Sequence, residues 1–350
     1  MASLAADTVS SYQRHADKYC IWCIQNCLDN GSHGIYVPTE MDLVYYVCNL
    51  EMTKLSLGYI KSHLCGISWW FRMHGLGDVT KHTATGQTLP LLSQVLKGMA
   101  KKNVRAPGNA RLPITIPVLR ALLAKASSAL TAMGRPPTDV VAFCAAATMA
   151  VFGLLRVGEF TSNSTKEYVP GKDLLRSDVT VVRNTDGSIK CITTCLKHTK
   201  GDKWRKTQTQ TLWPTGDATL CPVTSLAAWL AIRDTSGAPT WLPLFTLSDG
   251  SYMDRRMFAT GLKKSLTLAG YAADKYNTHS CRGGGATTLL SLGYSAGVIK
   301  AQGRWASDAW LKYVEHVPEG LQIDVAKNMA AVVETSIKQA HHNLYIQRFD

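Results

Sequence analysis

The stretch THSCRGGGATTLLSLGYSAGVIKAQGRWASDAWLKYVEH, residues 278–316, combines four kinds of side chain that suit a phosphate. Arginine binds phosphate oxygens through two N–H groups, histidine transfers protons, an indole N–H donates one hydrogen bond, and a tyrosine oxygen can attack phosphorus. Because all four lie in one short helical region, the stretch predicts a phosphoryl-transfer site. The four residues are His279, Arg282, Trp305 and Tyr313.

A helix is predicted to begin at His279, with Thr278 as its N-cap. The i, i+3 spacing of His279 and Arg282 places both residues on one face of the first turn, where the helix dipole favours an anion. Three glycines follow at 283–285, and each costs about 1 kcal/mol relative to alanine inside a helix. We therefore predict a very close neighbour, either another helix or a DNA backbone.

A second arginine lies upstream, in AVFGLLRVGEF at residues 150–160. Arg156 and Glu159 are three residues apart, which is typical of an ion pair that ends a helix. Combined with Arg282, however, Arg156 completes a two-arginine clamp, as the charged oxygens of a pentavalent phosphorane require. Both interpretations are open from the residues alone.

The first hundred residues predict a small all-helical module, because apolar residues recur there near the 3.6-residue helical period. The segment NVRAPGNARLP, 103–113, has two prolines and no periodicity, which is typical of a linker. We predict a helical domain at 1–105, a linker at 106–113 and a second domain at 114–350. The predicted helices are 9–28, 39–50 with Thr39 as cap, 56–74, 89–102, 117–132, 138–155, 222–232, 254–269, 279–292, 295–302, 306–315 and 321–343.

The segment 178–214 differs, because β-branched and polar residues alternate around Asp186-Gly187 and Gly201-Asp202. It predicts three antiparallel strands, so the fold class is mainly α with a small antiparallel β-sheet. Basic residues crowd the second turn, which is either a solvated hairpin tip or a mobile finger that reaches DNA. They are Lys197, Lys200, Lys203, Arg205 and Lys206.

Composition limits the class of protein. The chain has 350 residues, 46% of them apolar and 18% charged, which is enough for sizeable cores. Its net charge is +13, of which residues 1–105 supply +3 and the remainder +10. A folded chain this basic favours nucleic acid or an anionic membrane surface as its partner.

Two further classes are disfavoured by the sequence. The chain has no apolar run near the roughly 20 residues that span a bilayer and begins without a signal peptide, so we expect a soluble intracellular protein. Its ten cysteines are scattered. Cys20, Cys23 and Cys27 share a helical pattern, but no second CxxC or paired histidine spacing completes a metal site, so we expect reduced, mostly buried thiols.

Arg156, Lys200, His279-x-x-Arg282, Trp305 and Tyr313, in this order, resemble the tyrosine recombinase (phage integrase) family over nearly the whole chain. LLRVGE is similar to the first arginine box of the family, TKGDKWR to its β-hairpin lysine segment, and HSCRGGGATTLLSLG to its HxxR box. The N-terminal module resembles the core-binding domain, and the second domain resembles the catalytic domain.

The resemblance implies a reaction and a role for each matching residue. Tyr313 is the nucleophile and forms a 3′-phosphotyrosyl enzyme, while Arg156 and Arg282 hold the phosphate oxygens. His279 helps to activate the tyrosine or binds the phosphate, Lys200 protonates the leaving 5′ oxygen, Trp305 takes the place of a second histidine, and Glu159 orients the site. No metal or other cofactor is implied, because the bond energy is kept in the phosphotyrosine. Candidates for DNA contact are Lys197, Lys203, Arg205, Lys206, Arg111 and Arg304.

Two departures from the family pattern lie near the nucleophile. The interval from Trp305 to Tyr313 is one residue shorter than usual, and Arg304 replaces a common glycine. Alternative nucleophiles are Tyr294, Tyr276 and Tyr345. The segment GRWASDAWLKYV is more similar to recombinases of eukaryotic mobile elements, the DIRS and Crypton groups, than to bacterial Xer proteins.

The resemblance implies double-stranded DNA as the partner, a dimer on one site and a tetramer in the synapse. The helix at 321–343 either docks on a neighbouring protomer or folds back on its own domain. A nuclear location follows for a eukaryotic mobile element, and a cytoplasmic one with the host DNA otherwise. Two other functions stay open: a catalytically inactive, domesticated DNA-binding protein and a type IB topoisomerase.

Overall fold

The computed structural model describes residues 4, 6–26, 28, 36–102, 111–197, 207–305 and 307–313, without the side chains of residues 6, 312 and 313. The backbone divides into two compact units, Met1–Asn109 and Ala110–Asp350. The division lies next to the predicted boundary, and residues 106–110 of the predicted linker lie outside the described part. The core-binding and catalytic roles of the two units stay predictions.

The described part of the first unit contains four helices around one apolar core. Thr39 caps the second helix, as predicted: its hydroxyl accepts from Asp42 N and the Asp42 carboxylate accepts from Thr39 N, a reciprocal capping box. Gly66 on the third helix lets the first helix approach closely, because a Cβ there would lie 2.8 Å from the Tyr12 carbonyl oxygen. The helices are α1 (Ala6–Gln25), α2 (Glu40–Met52), α3 (Leu57–Met73) and α4 (Pro90–Lys102).

The second unit is mainly helical, with a larger core in which the helices pack on one sheet. Prolines occupy the first turn of three of its helices, where no backbone N–H is needed. The helices are α5 (Ile116–Thr131), α6 (Pro137–Phe152), α7 (Pro222–Thr235), α8 (Arg255–Leu268), α9 (His279–Ser291) and α10 (Ala296–Gly303).

The sheet has three antiparallel strands in the order β1-β2-β3, so the predicted fold class is confirmed. Gly187 has a φ of +84° in the first predicted turn, where Asn184 N donates to Ser188 O over 2.9 Å. The second predicted turn, with Lys200, lies outside the described residues. The strands are β1 (Val179–Arg183), β2 (Ile189–Leu196) and β3 (Gln208–Leu212).

The glycine run in α9 packs against the backbone of its own unit. A Cβ on Gly284 would overlap the carbonyl oxygen of Ile114, and one on Gly285 would lie 2.5 Å from the carbonyl oxygen of Val151 at the end of α6. The extended segment before α5 is held there, since Ile114 N donates to Ser280 O over 2.9 Å. Of the two predicted neighbours, the protein itself fills this space at Gly284 and Gly285.

One predicted helix differs from the structure, and another stays a prediction. The helix predicted at 306–315 is described over Asp308–Tyr313 and is a 3-10 helix. Trp310 from this short helix joins Trp305, Leu154 and Ile299 in a small cluster apart from the main core. The helix predicted at 321–343 lies outside the described residues. Within the described part of the chain, none of the helices combines the length and the apolar character that crossing a bilayer requires.

Candidate functional site

Arg156 follows α6 in a sharp turn that Glu159 holds in place. Leu154 has a φ of 46° where the helix ends, and a 3-10 turn runs from Val157 to Glu159. One oxygen of the Glu159 carboxylate accepts from the Arg156 backbone N over 2.9 Å, and the other from Arg156 Nη1 over 2.7 Å. The Glu159 side chain is buried, whereas that of Arg156 is 25% exposed. The predicted ion pair therefore exists and leaves part of Arg156 at the surface.

Two further arginines converge on the same carboxylate. Arg304 Nη2 donates to Glu159 Oε2 over 2.9 Å, and Arg282 Nη1 lies 3.9 Å from that oxygen. Three guanidinium groups thus surround one carboxylate, so the cluster keeps a positive formal charge. A positive cluster of this kind favours an anion such as a phosphate.

Arg282 is completely buried in this arrangement. Its Nη1 donates to Leu154 O over 2.7 Å and its Nη2 donates to Gly303 O. The ring of Trp305 covers the guanidinium, with its centroid 4.2 Å from Cζ. The structure therefore brings both predicted clamp arginines to Glu159 but exposes only Arg156 to a ligand.

Trp305 is held against Arg282 by the shape of the chain before it. A Cβ on Gly303 would overlap the indole ring, so only glycine admits the ring at this distance. Arg304 ends α10 in the left-handed conformation, with φ 56° and ψ 45°, and Trp305 N donates to Lys300 O over 2.9 Å. Trp305 thus makes a cation–π contact with Arg282.

His279 is the first residue of α9 and is exposed, unlike Arg282 on the same helix. The helix begins at His279 directly after Thr278, as predicted, but Thr278 does not cap it through its side chain: Thr278 has helical dihedral angles, and its buried hydroxyl makes no cap hydrogen bond. Asn277 caps instead, since its Oδ1 accepts from His279 N over 2.8 Å. Asparagine is as good a cap as threonine, so position 277 carried a usable signal in the sequence.

Arg304 is predicted to contact DNA, and in the structure its side chain binds groups of its own unit. Its side chain is 9% exposed and is directed into the second unit. Nη1 donates to Gly153 O over 3.1 Å and to the side-chain oxygen of Gln210 on β3, while Nη2 donates to Glu159. Burial lowers the pKa of Arg304, and the Glu159 charge opposes that shift. The described contacts of Arg304 are thus within its own unit, and the predicted DNA contact stays a prediction.

The remaining predicted cations are placed less completely. Lys197 Nζ lies 2.5 Å from Asp178 Oδ1, and Arg111 donates to Asp274 O. Residues 200, 203, 205 and 206 lie outside the described residues, between β2 and β3. The backbone of Tyr313 ends the last described helix, and its side chain is outside the description. The predicted roles of Lys200 and Tyr313 therefore stay predictions.

The sequence reasoning missed a cavity of about 530 Å³ that begins beside the Arg156 turn. Val157 and Gly158 form one wall, and Arg255 and Arg256 of α8 form another. The only signal for these two arginines was their position just after the N-cap of a predicted helix, Asp254, which is too common to mark a site. Thr161, Ser162, Asn163, Asp254 and Ala259 complete the lining.

Comparison with solved structures identifies the fold. The XerH site-specific recombinase bound to palindromic difH substrate, a post-cleavage complex, has a TM-score of 0.59 at 16% identity, over 91% of this chain and 78% of that one. The Tn1549 transposon integrase with transposon right end DNA has a TM-score of 0.53 at 14% identity, over 93% and 95%. A lambda integrase dimer bound to a COC′ core site has a TM-score of 0.50 at 13% identity, over 89% and 72%.

At these identities the similarity shows the fold alone, and this chain has the tyrosine recombinase fold. No protein-family model and no curated protein matches the sequence.

Proposed function

We propose that the protein is a site-specific tyrosine recombinase that cleaves and rejoins double-stranded DNA. The observation that carries the proposal is the cluster of Arg156, Arg282 and Arg304 around Glu159 in a chain with the fold of these enzymes. The similar solved structures are DNA complexes, which supports DNA as the substrate. The basic balance of the second unit agrees with this partner.

In the proposed reaction the phenolic oxygen of Tyr313 attacks a DNA phosphorus. The P–O5′ bond breaks, the electron pair leaves with the 5′ oxygen, and Lys200 supplies the proton to that oxygen. The products are a 3′-phosphotyrosyl enzyme and a free 5′-hydroxyl, and attack by the 5′-hydroxyl of a partner strand reverses the step. Arg156 binds a non-bridging oxygen, and His279 accepts the phenol proton of Tyr313 as its oxygen attacks.

The buried position of Arg282 sets a condition on this mechanism. Both of its Nη atoms donate to backbone carbonyls, and Trp305 covers its face. The Gly303 carbonyl or the Trp305 ring has to move before the guanidinium reaches a phosphate oxygen. In the proposal, Arg156 meets the DNA first and Arg282 joins it once the 303–305 segment has shifted.

The same buried arginine favours one alternative, a catalytically inactive DNA-binding protein. Such a protein needs Arg156 and the basic surface but never has to expose Arg282. Strand cleavage distinguishes the two proposals, because a pure binder forms no covalent product with DNA.

The test of function is covalent capture on suicide substrates. The intact protein is mixed with a pool of nicked duplexes of varied sequence, and covalent complexes are isolated under denaturing conditions and sequenced. We expect an adduct on one class of sites, whose sequence then identifies the DNA target. Duplex binding without an adduct across the whole pool would favour the inactive binder.

Finer parts of the proposal rest on the family resemblance. They are integration or excision of a mobile element, the DIRS or Crypton type, a dimer on one site, a tetramer in the synapse, and a nuclear location if the element is eukaryotic. Sedimentation of the protein with one and with two target duplexes tests the assembly: we expect two protomers per duplex and four per duplex pair.

A further inference from the structure

The backbone of Arg304 has a strained conformation, so the contacts of its side chain need a physical explanation. The residue is in the left-handed conformation, with φ 56° and ψ 45°. This conformation is strained for a residue with a Cβ, and glycine avoids the strain. Glycine is common at this position in the family that the sequence resembles. An arginine here therefore has to offset the strain through its contacts.

The contacts of Arg304 join three parts of the proposed site. The residue itself ends α10, directly before Trp305. Nη2 reaches Glu159 Oε2 over 2.9 Å, at the turn that holds Arg156. Nη1 donates to the side-chain oxygen of Gln210 on β3, the strand that follows the lysine-rich segment 197–206 in the sequence. One buried guanidinium thus connects the end of α10 to two elements that lie more than ninety residues before it in the sequence.

Arg304 also decides which arginine occupies Glu159 Oε2. Arg156 Nη1 uses the other oxygen, Oε1, and Arg282 Nη1 lies 3.9 Å from Oε2. With Arg304 bound at 2.9 Å, Oε2 is already compensated. Without Arg304, Oε2 keeps the Arg156 backbone N–H, which donates over 2.9 Å, but loses its charged donor, and the guanidinium of Arg282 or Arg156 is the nearest group that can turn towards it. Either arginine would then be drawn away from a phosphate.

We propose that Arg304 is a positioning residue for strand cleavage: by binding Glu159 Oε2 and Gln210, it keeps the guanidinium groups of Arg156 and Arg282 from turning onto that oxygen. The inference rests on the proposed function. Arg304 acts through Glu159 and does not itself touch the DNA.

The test compares single-turnover cleavage of a captured target duplex by the intact chain and its variants. For Arg304→Gly we expect the cleavage rate to fall about 10- to 100-fold, since small displacements of clamp residues have effects of this size. The Kd for the same duplex should change by less than about twofold, because no phosphate contact is lost. Arg304→Lys keeps a charge without the planar fork and should have an intermediate rate.

A double variant separates positioning from general stability. Glu159→Gln removes the charge that Arg304 compensates, so Glu159→Gln with Arg304→Gly should be no slower than the slower single variant. Lys54→Gly is the matched control, because Lys54 is exposed and also has a positive φ of 58°, so this change likewise relieves a left-handed backbone and removes one positive charge. We expect it to cleave at the wild-type rate.

Three results would overturn the inference: wild-type cleavage by Arg304→Gly, a Kd that weakens in step with the rate, or additive effects in the double variant. If thermal melting shows that Arg304→Gly is unfolded, Arg304→Lys decides, and a wild-type rate for that variant overturns the inference. Cleavage by the intact chain tests the proposed function separately, because it does not depend on any Arg304 variant. Failure of the intact chain to cleave would contradict the proposed function, whereas the variants test the role of Arg304.

Discussion

At Gly284 one methyl group decides whether α9 can pack. A Cβ there would overlap the Ile114 carbonyl oxygen, and a backbone atom cannot rotate away as a side chain can. We expect Gly284→Ala to lower the free energy of unfolding by about 3 kcal/mol or more, the upper part of the range for overpacking. Urea denaturation monitored by tryptophan fluorescence measures the change.

Gly297→Ala is the matched control, because it lies in α10 of the same unit and a Cβ there would meet its nearest neighbour at 3.8 Å. Alanine has the higher helix propensity, so the variant should be neutral or more stable by up to about 1 kcal/mol. Equal stability of the two variants would show that α9 and Ile114 are farther apart than described.

Single residues also show what the sequence could predict of the site. The spacing of Arg156 and Glu159 predicted their ion pair, because both partners lie in one turn. The burial of Arg282 and the inward direction of Arg304 were not predictable from spacing. Both depend on partners such as Leu154 and Gln210, which lie more than ninety residues away in the sequence.

At the scale of elements, α1 and α3 meet through two stacked histidines whose ring centroids are 4.2 Å apart, His15 and His63. His63 is fully buried beside the hydroxyl of Tyr46 at 2.8 Å, and Tyr59 and Lys18 are its other polar neighbours. Burial lowers the pKa of His63 from 6.5 to about 4, and burial also lowers the pKa of His15.

These depressed pKa values predict a loss of stability in acid. The unfolded chain binds a proton on His63 below about pH 6.5, whereas the folded chain does so only near pH 4. Stability is therefore complete above pH 6.5 and falls as the pH drops towards 4, by up to about 3 kcal/mol. Hydrogen exchange of the α3 amides should accelerate between pH 7 and pH 5 after correction for intrinsic exchange.

His63→Gln should flatten this pH dependence, since glutamine does not titrate. His82→Gln serves as the control, because His82 is exposed in the same unit. A steep pH dependence that survives in His63→Gln would assign the acid sensitivity to another group.

The elements themselves were largely predictable, because their apolar periodicity and caps are local. Thr39 predicted the start of α2, and the Asp186-Gly187 turn predicted the β1-β2 hairpin. The capping side chain of α9 was not predictable, because Asn277 and Thr278 are adjacent and both residue types are good caps. In the structure the side chain of Asn277 accepts from His279 N. The 3-10 form of Asp308–Tyr313 was not predictable either, because its period is too close to that of an α-helix over six residues.

At the scale of the whole molecule, net charge is the property that follows most directly from the sequence. Of the net +13, the region after residue 105 supplies +10. Duplex binding should therefore weaken steeply with salt. With six to ten phosphate contacts, affinity falls about 10³- to 10⁵-fold between 50 and 200 mM salt. Fluorescence anisotropy with a labelled duplex measures this dependence.

The lysine-rich segment 197–206 should supply part of that salt dependence. Lys203→Ser with Lys206→Ser should reduce the slope of log affinity against log salt by about two, equally for all duplex sequences. Arg120→Gln is the control, because Arg120 is already paired with Asp217 at 2.7 Å and should contribute less. An unchanged slope of log affinity against log salt in the double lysine variant would show that the segment 197–206 does not contact the DNA.

The central claim is that Tyr313 becomes joined to DNA, and the structure helps to rank its competitors. Among the alternative nucleophiles, Tyr276 is buried and Tyr294 is 49% exposed, so Tyr294 is the more accessible competitor. Tyr345 lies outside the described residues.

The most direct measurement is mass spectrometry of the covalent complex after digestion of both protein and DNA. We predict a nucleotide attached through its 3′-phosphate to Tyr313, and complete loss of the adduct in Tyr313→Phe with duplex binding unchanged. A nucleotide on Tyr294, or an adduct that persists in Tyr313→Phe, would contradict the account.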